Sequence, residues 1–505
     1  MFVRRKPNKS GSFSVQVVRK ESGRYEVVKS FGSSADENQL QAYEKDASVF
    51  INTYGGQLTF DFEDRESEEL RAKEFIGSIT SLVPNGPHLI LDRIYDGIGF
   101  GELDDEVLRD LVVSRICHPM SKLATVDYLK RYKGVSVDIN ELYRDMDRLD
   151  ESVRQKVQQI SVEHTRTILG GKIGIVFYDV TTLYFESATE DVLRACGFSK
   201  DGKTAETQIV LGLLVSMDGY PLSYSIFNGA QYEGRTMLPV IDDFIQRFSL
   251  TDFVVVADSG LLSRKNIKLL KDAGYKFILG GRIKKESGDI ADWIMSLDRS
   301  EDRLNEKAID GDERLIVSYS SKRAVKDARN REKGVRRLEK AYKSGRITKQ
   351  NINRRGYNKF LVLDNDVQVR IDPEKILEDE RWDGLKSYIT NTDLSAREVI
   401  EQYHGLWVVE RAFRVSKGTL ETRPIFHFTE RRIEAHICIC FMAYKVYKEL
   451  ERILRMLDIK LSVDKVMDIA RKVSTITLRT SSGQEVSQIL LLTDEQKQLA
   501  PLLQG

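Results

Sequence analysis

Apolar and polar residues alternate along residues 12–18 and again along 25–30, on either side of Glu21-Ser22-Gly23. A period of two flanking a turn predicts a β-hairpin, so the first 60 residues read as β-rich. A charged stretch, 61–73, follows. From residue 89 the period lengthens to that of helices, over 89–98, 104–115, 122–132 and 139–168, with Asp104 and Ser121 placed as N-caps. This predicts a small helical domain, a common format for docking on DNA.

The pattern changes again at 173. Apolar runs at 173–180, 208–215, 222–227, 253–257 and 275–279 predict strands, and 236–248 and 263–273 predict helices, the second capped by Ser263. The order β-β-β-α-β-α-β is that of a ribonuclease-H-like core: a mixed five-stranded sheet with flanking helices. Between 284 and 393 only short strand candidates occur (315–318, 360–363, 388–390), which predicts a β-rich insertion. A helix from Ser395 to about Lys417 opens on a capping box with Glu398. Another, 430–455, places Ile433, Ile437, Cys440, Tyr444, Tyr447 and Leu454 on a core face. The divisions are 1–75 (β-rich), 76–170 (helical, DNA-binding), 171–283 with 394–456 (catalytic core), 284–393 (insertion) and 457–505 (a helical tail).

Composition narrows the class. At 505 residues, 41% hydrophobic and 31% charged, the chain has the make-up of a soluble globular protein of several domains, with no apolar run long enough for a membrane. The start, Met1-Phe2-Val3-Arg4-Arg5-Lys6, lacks the apolar core of a secretory signal. Four cysteines suit a reducing cytoplasm, and Cys438 and Cys440, about 200° apart on a helix, are expected in the core. Gly170-Gly171-Lys172 lacks the spacing of a phosphate loop, so no ATP site is expected. Net charge is +1, but residues 322–359 hold 15 Lys or Arg against Asp327, Glu332 and Glu339, a local +12 that suggests a polyanion-facing surface.

Two aspartates carry the candidate chemistry. Asp179 lies in the apolar run Phe177-Tyr178-Asp179-Val180-Thr181-Thr182, and Asp258 ends 253–257. A carboxylate in or just after a buried strand is costly unless its charge is stabilised, and a divalent cation does this well. Either residue alone is more readily a strand end or helix cap; the two together, at matching strand ends, favour a site. Glu186 is a rival ligand. A third acid is expected from a helix beside the sheet, and Tyr403, Glu410 and Lys417, spaced by seven with Arg414, share one helix face. The alternative is a solvated face with an ion pair between Glu410 and Arg414.

At these residues the sequence resembles DDE transposases of the insertion-sequence-four group, in the branch with long spacing before the final acid. That group carries Tyr, two residues, Arg, three residues, Glu, six residues, Lys. Tyr403, Glu410 and Lys417 match, whereas Leu406 stands where Arg is expected, with Arg411 or Arg414 able to compensate. Asp179-Val180-Thr181-Thr182, Gly197-Phe198-Ser199-Lys200-Asp201-Gly202, Ala257-Asp258-Ser259-Gly260 and Trp382-Asp383-Gly384 add to the match. The resemblance implies cut-and-paste transposition. Asp179, Asp258 and Glu410 would hold two Mg²⁺ ions (Mn²⁺ substituting) for hydrolysis at the element's ends and strand transfer to target DNA. It also implies a homodimer on DNA, binding the inverted-repeat ends, in the nucleoid. The spacing of 152 from Asp258 to Glu410 fits the group's β-rich insertion.

The basic insertion predicts phosphate contacts from Arg329, Arg331, Arg336, Arg337 and Lys340, against the plainer reading of a solvated charged helix. Trp293, Trp382 and Trp407 are each expected in the core, Trp407 being the best placed to stack on a base. Two other functions compete: a metal-dependent nuclease that cuts without joining, and an inactive DNA-binding relic, for which Leu406 speaks.

Overall fold

The computed structural model describes the chain except residues 22, 55–61, 199–201, 203–204, 249–252, 262, 302, 354–355, 365–367, 481 and 504–505. Ser22 of the expected turn, Ser199-Lys200-Asp201 of the supporting motif and the start of the charged stretch 61–73 thus lie outside the described residues. Two compact units are present: Met1–Leu82 with Ile476–Gln488, and Val83–Thr475 with Ile489–Gly505.

In the first unit, strands β1 (Phe2–Pro7), β2 (Phe13–Glu21) and β3 (Arg24–Ser34) form an antiparallel sheet in that order. The expected hairpin is its second half. Helix α1 (Glu37–Thr53), capped by Asp36 on the Asn38 N–H, corrects the reading of this region as β-rich throughout. Its Leu40 and Ala47 close a small core against Val15 and Val17, and helical spacing, not alternation, sets those positions. Helix α2 (Phe62–Ser78) leads to β4 (Ile79–Val83), which joins a sheet with Ser474–Arg479 and Glu485–Leu490. The tail therefore contains strands as well as helices.

The second unit begins with α3 (Gly86–Ile98), α4 (Glu106–Cys117), α5 (Lys122–Tyr132), α6 (Ile139–Arg148) and α7 (Glu151–Ile168). The single helix expected over 139–168 is two: Leu149 leaves helical geometry, and Asp150 caps α7 on the Val153 N–H. The cap of α4 is Asp105, not Asp104, which holds a left-handed φ of 50°.

Next come β5 (Ile175–Tyr184), β6 (Gln208–Ser216), β7 (Pro221–Asn228), α8 (Met237–Phe248), β8 (Val254–Ala257), α9 (Arg264–Asp272) and β9 (Lys276–Gly280), in the order expected. The following region supplies α10 (Gly288–Met295), β10 (Asn305–Asp310), β11 (Glu313–Tyr319), the basic helix α11 (Ser321–Lys343), a hairpin of β12 (Leu361–Asp364) and β13 (Gln368–Ile371), α12 (Pro373–Glu380) and β14 (Leu385–Thr390). The sheet has eight strands, not five, ordered β10-β11-β14-β9-β8-β5-β6-β7. Within this sheet β5–β8 and β8–β9 pair in parallel. Strand β14 pairs antiparallel with β9, satisfying an edge whose N–H and C=O groups would otherwise lack partners. The insertion is thus partly continuous with the core sheet.

Two cores flank this sheet. Val176, Tyr178 and Val180 of β5 face α8 and α9, whereas Phe177 and Leu183 face the helices on the other side. Those helices include α13 (Ala396–His404), α14 (Trp407–Arg414) and α15 (Glu430–Met456). The expected continuous helix from Ser395 is broken between α13 and α14. The bare Cα of Gly405 packs on Phe177, where a Cβ would meet the ring at 2.4 Å. Past α14 the chain widens into a π-turn, Val415–Thr419. Helix α15 is buried nearly all round from Ala435 to Leu450, Cys438 and Cys440 included, so it is a central helix and not one with a single core face.

Candidate active site

Strand parity and register assemble the site. Tyr178 pairs with Ala257, Ala257 with Leu279, and Gly280 with Tyr388. One step on, Asp179, Asp258, Gly280 and Tyr388 form a row across four neighbouring strands. Successive side chains alternate faces, so Asp179 lies on the face of Phe177, and Asp258 on that of Val256, both toward α13–α15. Adjacent strands lie about 4.8 Å apart, which sets the spacing of the two aspartates' backbones. Two residues before Tyr388, Lys386 shares this face.

Helices α13 and α14 close over the row. Tyr403, Leu406, Val409 and Phe413 are buried, which fixes the helix pair and points Glu410 outward. Asp179, Asp258 and Glu410 line one cleft of about 250 Å³ with Lys386, Tyr403, His404, Leu406 and Trp407. Glu410 and Asp258 are exposed, Asp179 half-buried.

Hydrogen bonds hold the carboxylates. The Tyr403 hydroxyl donates to Asp258 Oδ1 at 2.7 Å, and the Val180 N–H donates to Asp179 Oδ1 at 2.8 Å. Gly280 makes room for that hydroxyl, since a Cβ there would lie 2.3 Å from it. Burial, then the charge of Asp258, pushes the Tyr403 phenol well above its usual range, so it remains a donor. Tyr403 also meets Tyr388 edge-on at 4.9 Å. After Asp258 the chain is tied by Arg282, which donates to the carbonyls of Ser259 (2.7 Å) and Gly260 (2.8 Å).

Lys386 is the cation of the cleft. Its Nζ lies 4.3 Å from the Tyr403 ring centroid. Burial and the charge of Arg323 lower its pKa, opposed by Asp258 and Glu410. Arg323, in the first turn of α11, brings the basic helix toward this end of the sheet. Neither residue was singled out from sequence, although a lone lysine in the apolar run Leu385–Thr390 was a signal. His404 is held below its usual value by burial and by Lys386.

The other expected residues divide. Trp407 is 57% exposed at the mouth of the cleft, not in the core. Arg411 pairs with Glu451 and lines a neighbouring cavity of about 390 Å³ with Trp407. Arg414 is exposed outside the cleft lining, and Lys417 sits half-buried in the π-turn. Of the face expected to join Tyr403, Glu410 and Lys417, the first two line the cleft together across the break at Gly405, and Lys417 is not among its lining residues. On α11, Arg329, Arg336, Arg337 and Lys340 are exposed. Arg331 is instead 7% exposed and donates to both Asp383 oxygens at 2.6 Å, which removes it from the phosphate-facing set. Trp293 and Trp382 pack on the second core, as expected.

Three carboxylates with no thiolate form a hard-oxygen donor set that fits a divalent cation such as Mg²⁺. Among the described residues, no three His, Cys, Asp or Glu are gathered into a ready-made metal centre. No helix among them is long and apolar enough to cross a membrane.

The sequence model of the transposase DDE domain matches residues 170–445, more than half of the chain. Among solved structures, the chain is similar to the piggyBac transposase synaptic complex with hairpin DNA, at TM-score 0.40 and 11% identity over 78% of this chain and 77% of that one. It is also similar to the Mos1 transposase paired-end complex with left transposon end, at TM-score 0.16 and 9% identity over 46% of this chain and 71% of that one. No curated protein matches the sequence.

Proposed function

We propose that this chain, which belongs to the transposase DDE domain family, cuts DNA at the ends of its own mobile element and joins the freed ends to target DNA. The observation that carries the reading is the row placing Asp179 beside Asp258, with Glu410 in the same cleft. We read the sheet and its helices as a ribonuclease-H-like core, residues 76–170 as a DNA-docking region, and the chain as a long-spacing member of the insertion-sequence-four group.

In this reading Asp179, Asp258 and Glu410 would hold two Mg²⁺ ions, which would supply activation of the attacking oxygen and stabilisation of the leaving one. The chain's own residues do the rest. Tyr403 orients Asp258 through its hydroxyl, and Arg282 fixes the loop behind it. Lys386 meets a phosphate oxygen at the place left open by Leu406. Trp407, exposed at the mouth, offers a face to an unstacked base. Arg414, Lys417 and the exposed cations of α11 contact the backbone on either side. Hydrolysis breaks the bond between phosphorus and the 3′-oxygen, leaving a 3′-hydroxyl and a 5′-phosphate. The 3′-hydroxyl then attacks a target phosphodiester, displacing another 3′-oxygen, so joining needs no ATP.

The test uses a duplex carrying the DNA that flanks the gene. Wild type with Mg²⁺ should nick it and give joined products. Asp258→Asn, a poor ligand of the same shape, should lose nicking by at least three orders of magnitude while retaining gel-shift affinity. Nicks without joined products would make it a nuclease. Equal loss of binding and cutting would remove Asp258 from the chemistry.

A further inference from the structure

Beyond the end of β5 lies a second pocket, of about 280 Å³. Its walls come from the end of α4, the start of α5, and the segment preceding α15. That segment bridges to the sheet where Ile425 pairs with Phe185. Phe185 is six residues past Asp179, roughly 20 Å along the strand at about 3.3 Å per residue, and its bridge partner Ile425 lies between Pro424 and Phe426 of the pocket wall.

Three cations line this pocket, Arg115, Lys122 and Arg423, and the first two are built into its wall. Lys122 is 4% exposed and Arg115 8%, and both line the cavity. Among the described residues neither side chain makes an ion pair or a hydrogen bond. The one carboxylate among the lining residues, Glu421, is exposed. His427 and His436 complete the wall, and burial together with these two cations keeps both imidazoles neutral near pH 7. An unpaired buried charge is expensive, and two side by side are more so, which an anion would relieve. Helix α5 opens here as well. Ser121 caps it by accepting from the Ala124 N–H, and its first-turn N–H groups add a positive end. Phe426, 62% exposed, flanks the opening.

We infer that this pocket binds a phosphate group, and that the group is a phosphodiester of the DNA whose scissile bond occupies the catalytic cleft. The second half rests on the DNA reading above. At 3.4 Å per base step along a strand, the separation corresponds to about six steps of duplex. The phosphate thus sets how far from the cut the DNA is gripped.

Two measurements on the full chain test this. Inorganic phosphate is titrated against chloride at constant ionic strength while the melting temperature is followed. Wild type should show a saturable rise of a few degrees, as a ligand of the folded state produces. Lys122→Met should show none, and should melt above wild type in chloride, having shed an unpaired buried charge. If Lys122→Met does not fold, Arg115→Met and Lys122→Gln make the same comparison. Affinity for a 40-base-pair duplex is then measured against salt, where Lys122→Met should reduce the logarithmic slope by about one. Both responses support the inference. A phosphate response with an unchanged slope leaves a free-phosphate pocket and overturns the DNA half. If wild type binds no DNA, the functional reading fails while the phosphate titration still decides the pocket. No phosphate response and no change in slope overturn the inference.

Discussion

Tyr403 does two things that a phenylalanine could do only in part. Its ring packs on Tyr388 and under Lys386, while its hydroxyl donates to Asp258. Tyr403→Phe keeps the packing and removes the hydrogen bond, which for a charged acceptor is worth about 1.5–3 kcal/mol. We expect nicking to fall roughly 10- to 100-fold, the Mg²⁺ concentration for half-maximal rate to rise, and the melting temperature to change little. Unchanged metal dependence would mean the hydroxyl does not position Asp258. Lys122 makes a different test. Burial, reinforced by Arg115 and opposed by Cys440, pulls its pKa from 10.5 to about 7. Below about pH 7 both folded and unfolded chains carry its proton, and the folded chain bears the full cost. Between about 7 and 10.5 only the unfolded chain binds that proton, so stability rises with pH in this window. In chloride buffer, wild-type urea midpoints should climb from pH 7 to 9, and those of Lys122→Met should climb less. Equal climbs would show that Lys122 does not titrate in this range.

Elements differed in how openly the sequence declared them. Ser121 and the capping box of Ser395 with Glu398 mark helix starts through local chemistry, and both lie where expected. Asp179 and Asp258 were legible because each interrupts a run otherwise apolar. At Gly405 the sequence shows the glycine but not the ring of Phe177, more than 200 residues away, on which its bare Cα packs. The joining of β14 to β9 was hidden for the same reason: antiparallel pairing across a long insertion leaves no local trace. Lys386, and with it the charge of Arg323, was missed because Lys386 reaches the cleft only through that pairing. Helix α11 shows what charge counting cannot resolve. Its cations looked alike, yet Arg331 is buried against Asp383 and the rest of the expected set is exposed. Arg331→Gln leaves Asp383 with a lost partner and should destabilise the fold by about 3 kcal/mol, with little change in the salt slope of DNA binding. Neutralising Arg329, Arg336, Arg337 and Lys340 together should leave unfolding nearly unchanged and flatten that slope by up to about four. Urea unfolding and salt-dependent binding separate the two. A steep slope in the fourfold variant would make α11 a solvated helix.

At the scale of the whole molecule, one cleft holds one reacting end, whereas excising an element requires two. The chain offers a single set of Asp179, Asp258 and Glu410, so the working species in our reading is a pair of chains on two DNA ends. Helix α11 is 23 residues long. At about 1.5 Å per residue it spans roughly 35 Å, ten base steps of duplex. The charge of Arg323 in its first turn acts on Lys386 of the cleft, while its exposed cations continue along the helix. A helix of that reach can grip DNA that its own cleft does not cut. We therefore predict action in trans: α11 of one chain steadies the end cut by the other. Glu410→Gln is expected to bind DNA without cutting it, and the fourfold α11 variant to keep an intact cleft but bind weakly. Mixed on end DNA, the two should recover part of the wild-type cleavage that neither shows alone, with a sedimentation coefficient matching two chains on two ends. If both variants fold, yet the mixture stays inactive and wild type sediments on DNA as one chain, each chain grips and cuts its own end and the trans arrangement is wrong.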